Sequence, residues 1–423
     1  MNKVAEFLNT RSYRQALARL CRLAQEPVPD GRRALHDWEN DLAKKPLLKP
    51  ENRLIERLDT DLPKAIIQSD IENDPLLWLQ AIDEHCHCIF APDSTASHDT
   101  IDDGFGKSKV IRLQPGFGGG RLSAQFGNLS YWLKHHRVIP LDNVHCIPVD
   151  VCDIPTGCKD WVASLFETEA IKIGIVHFAD DISLDIGYTD NHFFICNGIE
   201  DEEQRLVTAL EHIRKAHEAG VHLLIMPELT ITANMRATIS ELMMHLSLTE
   251  GDHHELSVPV IVPGSFHEQC DAKWRNHAEA LCGLNGATLF GSDKRERVTF
   301  RGCGEMIESS PTPITCLTTP IGVIGMTICR DLFVGSSAEV LQSLSLDWLL
   351  VPSMSDKLGP HRSAAKTLHD KRGTVIAVAN QQMPGATDYE QGFVHHDKYE
   401  RGKPGLTIIA VENRTDSHLR LVK

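Results

Sequence analysis

From Ala170 onwards, short apolar runs alternate with helical patterns, and no other feature of the 423-residue sequence narrows its fold so far. "IKIGIVHF" reads as a strand, "EEQRLVTALEHIRKAHEAG" as a helix closed by Gly220, and "VHLLIMPE" as the next strand. "VPVIVPGSF" follows, and "AEALCGLNGATLFGSDK" predicts a hairpin whose two-residue turn is Asn285 and Gly286, a favoured pair. Then come "IGVIGMTIC", "LDWLLVPSM", a helical "HRSAAKTLHDKRG", "TVIAVANQ" and "LTIIAVEN". Strands and helices in alternation predict an α/β architecture.

The first part of the chain has another style. Val4, Phe7, Leu8, Ala16, Leu17, Leu20 and Ala24 recur at three- and four-residue steps, and "ENRLIERLDTDLPKAIIQ" and "DPLLWLQAIDEH" continue the helical pattern, with Pro63 and Pro75 as breakers or first-turn residues. Residues 91–128 are rich in Gly, Ser and Asp and read as loops around one short strand. There is no internal repeat. The expected division is a mainly helical N-terminal domain of unknown role, residues 1–165, followed by an α/β domain, residues 166–423.

Composition excludes some classes of function. A formal net charge of −15 is unsuited to a phosphate-binding surface, so nucleic acid is not an expected partner. The twelve cysteines lack the spacing of a disulfide scaffold, and the amphipathic "MNKVAEFLNTRSYRQALARL" holds no long apolar signal segment, so the expectation is reduced thiols in a cytoplasm. No apolar run approaches the roughly 20 residues that span a bilayer, and membrane association is not expected.

Three polar residues of complementary chemistry stand where apolar runs stop. Glu228 ends "HLLIMPE", Lys294 follows "ATLFGSD" and Cys329 ends "GMTIC". Groups converging from several strand ends are where α/β folds commonly build sites. A buried cysteine is ordinarily packing, and a strand-end Glu or Lys ordinarily a solvated boundary. Together, however, they supply a base, a cation and a nucleophile.

In this order, and with "VIVPGSF", "RNHAEAL" (Asn276), "TTPIGVIG", "DWLLVPSM" and "TVIAVANQ" around them, the residues from about 168 to 412 resemble the nitrilase, or carbon-nitrogen hydrolase, superfamily. The resemblance implies a four-layer α-β-β-α sandwich and hydrolysis of a non-peptide amide or nitrile through a thioester on Cys329, without a cofactor or metal. It assigns Glu228 as base, with Lys294 and the Arg330 backbone N–H as oxyanion stabilisers. It also implies a second carboxylate between Lys and Cys, for which "RGCGEMIESSPTP" offers Glu305 and Glu308, with Glu305 favoured. Trp-Glu, common after the nucleophile in nitrile hydrolases of the family, is replaced here by Arg330 and Asp331, which tilts the expectation towards an amidase or carbamoyl-type hydrolase. Arg330 is expected to depress the thiol pKa, to bind an acidic substrate group, or to pair with Asp331 or another surface acid. Ser353, Met354 and the long segment "ADDISLDIGYTDNHFFICNGI" are candidate pocket residues.

Family members usually form homo-oligomers, whereas the stretch after Asn380 is shorter here than the usual tail. The rival class is a catalytically silent or partner-regulated module in which the N-terminal domain binds a protein partner. Other motifs carry less. Asp150 and Asp153 near "HFADD" (His177 to Asp181) have the residue types of a metal-dependent polymerase site, which the acidic chain does not suit. "EHCHC" (His85, Cys86, His87, Cys88) has zinc-ligand residue types at spacings that do not close a tetrahedron. "FGKSK" lacks the first glycine of a phosphate loop, and "PGFGGGR" reads as a flexible turn.

Overall fold

A computed structural model describes residues 1–25, 34–43, 54, 58, 66, 68–89, 100–112, 129–133, 135–143, 145–165, 170–178, 182–271, 273–308, 312–384, 390–396 and 398–412. Two seven-stranded sheets lie face to face. The first has the order β10-β11-β9-β8-β5-β21, with β12 pairing β11: β5 is Ala170–His177, β8 Leu223–Ile225, β9 Val260–Val262, β10 Ser265–Cys270, β11 Lys273–Leu281, β12 Thr288–Asp293 and β21 Gly405–Glu412. The second has the order β20-β19-β18-β17-β16-β15-β4: β4 is Val149–Asp153, β15 Ile314–Thr319, β16 Gly322–Met326, β17 Trp348–Met354, β18 Val375–Gln381, β19 Gly392–His395 and β20 Tyr399–Arg401.

Strand alternation explains the near-continuous apolar runs. On β5, Ile171, Ile173 and Ile175 enter the core between the sheets, while Val176 packs outward under the helices Glu202–Glu218 and Ala233–Glu250. On β17, Trp348 and Leu350 face the first sheet, while Leu349 and Val351 pack outward under the helices Gly335–Ser343 and Gly359–Arg372. Both faces of each central strand are therefore buried, which selects Ile, Leu and Val at successive positions. The result is four layers, helix on sheet on sheet on helix. A left-handed Gly373, with φ of 68°, ends the last of these helices.

Several expectations need correction. The first 165 residues, expected to be mainly helical with one short strand among the loops of 91–128, hold a small sheet beside their helices. Helices Asn2–Asn9, Tyr13–Gln25, Ala34–Ala43, Gln68–Asn73 and Pro75–Ile89 pack on a three-stranded sheet of β1 (Thr100–Asp102), β2 (Lys107–Arg112) and β3 (His136–Pro140). Strand β4 lies before the expected boundary yet pairs in parallel with β15 of the second sheet. Arg137 of β3 reaches the second sheet directly, donating from Nη2 to Asp347 Oδ1 at 3.0 Å, with both side chains buried. The hairpin β11–β12 closes through a six-residue loop, Cys282 to Ala287, rather than a two-residue turn. Gly286, with φ of 71°, lies so close to the Ser240 carbonyl that a Cβ would clash.

The described residues of the metal-like motifs make ordinary contacts. Asp150 accepts the N–H of Val151, and Asp153 accepts from the Thr318 hydroxyl. His87 stacks on His135, and His85 and Cys86 are buried on their helix. Among the described residues no group of three or more His, Cys, Asp or Glu side chains could hold a metal ion. Ala179, Asp180, Asp181 and "PGFGGGR" lie outside the described residues. No described helix is long and apolar enough to cross a membrane.

Candidate active site

Glu228, Lys294, Glu305 and Cys329 come from four separate elements and are all at most 5% exposed. Glu228 lies three residues past β8 on a tight corner. Its N–H donates to the Ser353 carbonyl at 3.3 Å, Leu229 behind it has φ of 56°, and Gly264 leaves room where a Cβ would strike the Pro227 carbonyl. Lys294 directly follows β12 and donates its N–H to the Asn276 carbonyl of β11 at 2.8 Å. Glu305 ends β14 (Cys303–Glu305), which belongs to a small sheet β13-β14-β7-β6, where β6 is Leu184–Tyr188, β7 Phe193–Ile199 and β13 Thr299–Phe300.

The Lys294 ammonium bridges the two carboxylates, 2.7 Å from Glu228 Oε1 and 2.8 Å from Glu305 Oε2. Asn276 Nδ2 donates to both, at 2.9 Å to Glu228 Oε1 and 3.0 Å to Glu305 Oε1. The backbone N–H of Met354 donates to Glu228 Oε2 at 3.0 Å, and that of Val298 to Glu305 Oε2 at 3.1 Å. His267 supports the second carboxylate. Its Nδ1 accepts the Cys196 N–H at 2.8 Å, so the hydrogen is on Nε2, which donates to Glu305 Oε1 at 3.0 Å. Burial pulls the lysine down, but Glu228 and Glu305 outweigh it and hold Lys294 above its ordinary range. Burial likewise pushes Glu305 up, while Lys294 and His267 hold it well below the usual carboxylate range. Glu308, the other candidate, forms an exposed ion pair with Lys273 and is not part of this cluster.

Cys329 stands three residues beyond β16, as the first residue of a tight turn Cys329–Leu332, not at the end of the strand itself. Its φ is 47°, a left-handed conformation that costs a non-glycine residue about 1–2 kcal/mol. Burial and then Glu228 push its thiol up to about 12, while Lys294, the Ser353 hydroxyl and the Met354 N–H act in the opposite direction. The thiol is therefore protonated at rest. The expected lowering by Arg330 is not among the causes, and the net shift is upward.

Asp331 does not pair with Arg330 as the sequence reading allowed. Its carboxylate accepts the N–H groups of Arg295 at 2.9 Å and Glu296 at 2.8 Å, tying the turn that begins at Cys329 to the segment just after Lys294. Burial nevertheless raises Asp331 to about 7.

A pocket opens onto Glu228, Lys294 and Glu305, with Leu184, Ile186, Phe194, Phe300, Met354 and Met383 among its walls. The long segment after β5 thus supplies β6 and β7 to the pocket wall. Cys329, Arg330 and Ser353 do not line the pocket; Ser353 is fully buried, with its hydroxyl 3.5 Å from Cys329 Sγ. Sequence reading did not single out His267 or His361, because a lone histidine on a strand or in a first helical turn carries no spacing signal. Asn276 was visible only as part of "RNHAEAL".

A scan against protein-family models finds no match, and a search of curated proteins finds none. Solved structures of the nitrilase superfamily are similar to part of this chain. A mutant of the amidase from Nesterenkonia sp. AN1, showing covalent addition of the acetamide moiety of fluoroacetamide at its active-site cysteine, is 15% identical and covers 62% of this chain and 93% of its own, with a TM-score of 0.42. Nit3 of Saccharomyces cerevisiae, a member of branch 10 of the superfamily, is 14% identical, with coverage of 58% and 91% and a TM-score of 0.41. The glutamine-dependent NAD+ synthetase of Acinetobacter baumannii is 18% identical, with coverage of 57% and 45% and a TM-score of 0.40. Likenesses this low decide nothing about chemistry, which has to come from the site itself.

Proposed function

We propose that this protein is a cysteine-dependent carbon-nitrogen hydrolase acting on a non-peptide amide, with a nitrilase-superfamily domain over about residues 168–412. The observation that carries the reading is the buried Lys294 held between Glu228 and Glu305 at 2.7 and 2.8 Å, beside a cysteine kept in a left-handed conformation. A purely structural cluster has no need of two carboxylates on one buried lysine and a strained thiol next to them. Strain of this kind is retained where it serves a site.

In the proposed cycle, Glu228 removes the thiol proton as Cys329 Sγ attacks the amide carbon. The raised thiol makes this coupling necessary, because free thiolate is scarce at neutral pH. Charge developing on the carbonyl oxygen is met by the Lys294 ammonium and the Arg330 N–H. Collapse breaks the C–N bond, and the amine leaves with the proton from Glu228. Glu228 then takes a proton from water, whose oxygen attacks the thioester, and the carboxylic acid departs as the thiol is restored. Glu305 keeps the lysine charged, and Asn276, donating to both carboxylates, holds them in place around it. The mostly apolar pocket suits a substrate whose group beside the amide is uncharged.

The test is ammonia release from a panel of amides and nitriles by the full-length protein and by Cys329→Ala, Glu228→Gln and Lys294→Ala. Loss of hydrolysis in all three is expected. Hydrolysis that survives Cys329→Ala would overturn the proposal.

A further inference from the structure

Two buried groups beside the nucleophile are not used in that cycle, the Ser353 hydroxyl and the His361 imidazole. Ser353, on β17, donates from Oγ to Cys329 Sγ at 3.5 Å, and the same oxygen lies 3.2 Å from His361 Nε2. His361 sits in the first turn of the helix Gly359–Arg372 and is 1% exposed. A hydroxyl has one proton. If that proton points at sulfur, the oxygen must accept from the imidazole, which places the ring hydrogen on Nε2.

The other side of the ring agrees with this assignment. His361 Nδ1 has no hydrogen-bond partner among the described residues, and a bare lone pair is tolerated in a buried place better than an N–H without an acceptor. The Phe333 ring packs edge-on against the imidazole with centroids 4.7 Å apart. Burial, with the charges of Lys294 and Arg362, holds His361 down at about 3, so the ring is neutral near pH 7. It is a donor, not the base of a Cys-His pair.

Resting on the cysteine-nucleophile reading, we propose that His361 is a positioning residue: its Nε2–H fixes the Ser353 hydroxyl so that the hydroxyl proton faces Cys329 Sγ and stabilises the charge that builds there. Neither residue gains or loses a proton. The thiol proton goes to Glu228, the sulfur electron pair forms the bond to carbon, and the same hydroxyl faces the sulfur again when it leaves in deacylation.

The experiment is alkylation of the full-length protein by chloroacetamide from pH 6 to 10, with rates at each cysteine followed by peptide mass spectrometry. Ser353→Ala and His361→Phe are each expected to slow Cys329 by about tenfold, the loss of one hydrogen bond to a developing charge. The double variant is expected to be no slower than either single variant, since one chain of hydrogen bonds is broken in all three. His361→Gln, which retains an N–H donor, is expected to recover part of the rate. Labelling of exposed Cys270 should be unchanged throughout. Wild-type rates in His361→Phe, or effects that multiply in the double variant, would overturn the proposal. Wild-type Cys329 reacting no faster than Cys270 would instead overturn the nucleophile reading, and the proposal with it.

Discussion

Replacing Glu305 by Gln changes one atom and tests why a buried lysine needs two carboxylates. In the wild type, Oε2 accepts from Lys294 at 2.8 Å and from Val298 N–H at 3.1 Å, while Oε1 accepts from Asn276 and His267, both at 3.0 Å. An amide has one oxygen. Whichever way it is turned, two donors that faced a carboxylate oxygen now face an NH₂ group. Hydrogen bonds to charged groups contribute about 1.5–3 kcal/mol each, and some relaxation is expected, so the variant should lose about 3 kcal/mol of stability. Lys294 then has only Glu228 as its anionic partner, which ties up the proposed base. Hydrolysis should fall about a hundredfold, mainly in kcat. Urea unfolding and ammonia-release kinetics measure the two effects, and Glu308→Gln, at the exposed ion pair, is the control expected to change stability by less than about 0.5 kcal/mol. An unfolding free energy and kcat in Glu305→Gln equal to those of Glu308→Gln would refute the reasoning.

Three further predictions follow from the same contacts. Asp331 is raised in the folded state from 3.8 to about 7, so the fold binds more protons than the unfolded chain between those values, and its contribution to stability falls as pH rises through that window. Asp331→Asn should flatten the slope of unfolding free energy between pH 4 and 7; an unchanged slope contradicts the assignment. Asp347→Asn leaves the buried Arg137 without its carboxylate and should destabilise the protein by about 3 kcal/mol in urea unfolding, whereas a loss under about 1 kcal/mol would show that this buried contact is dispensable. Asn276→Leu should lower hydrolysis by at least about tenfold, because one Nδ2 donates to both carboxylates; an unchanged rate contradicts that role.

The strands that carry the site were legible because strands buried on both faces are written as unbroken apolar runs, and polar residues that interrupt them stand out. Glu228, Lys294 and Cys329 were singled out as candidates in that way, and Glu305 through the spacing that the family resemblance implies. What the sequence hid is mostly non-local. Strand β4 is separated from its partner β15 by about 160 residues, and "VDVCD" has no apolar run to mark it as part of a large sheet. The pocket-wall hairpin β6–β7 contains Asp185 and Asn197 and reads as loop, because one of its faces meets solvent. Arg330 and Asp331 looked like a pair because they are neighbours in sequence. The tight turn sends Asp331 to the Arg295 and Glu296 N–H groups instead.

The central claim is that Cys329 is a nucleophile assembled by Glu228 and Lys294, and burial sets up the sharpest test of it. A thiol 5% exposed and pushed up to about 12 should, as mere packing, react later than exposed Cys88, Cys146 and Cys270. The measurement is the order in which the twelve cysteines take up a limiting electrophile at neutral pH, mapped by mass spectrometry in the wild type, Glu228→Gln and Lys294→Ala. The account predicts Cys329 first in the wild type and not in either variant. Cys329 labelled after the exposed thiols in all three proteins would contradict it.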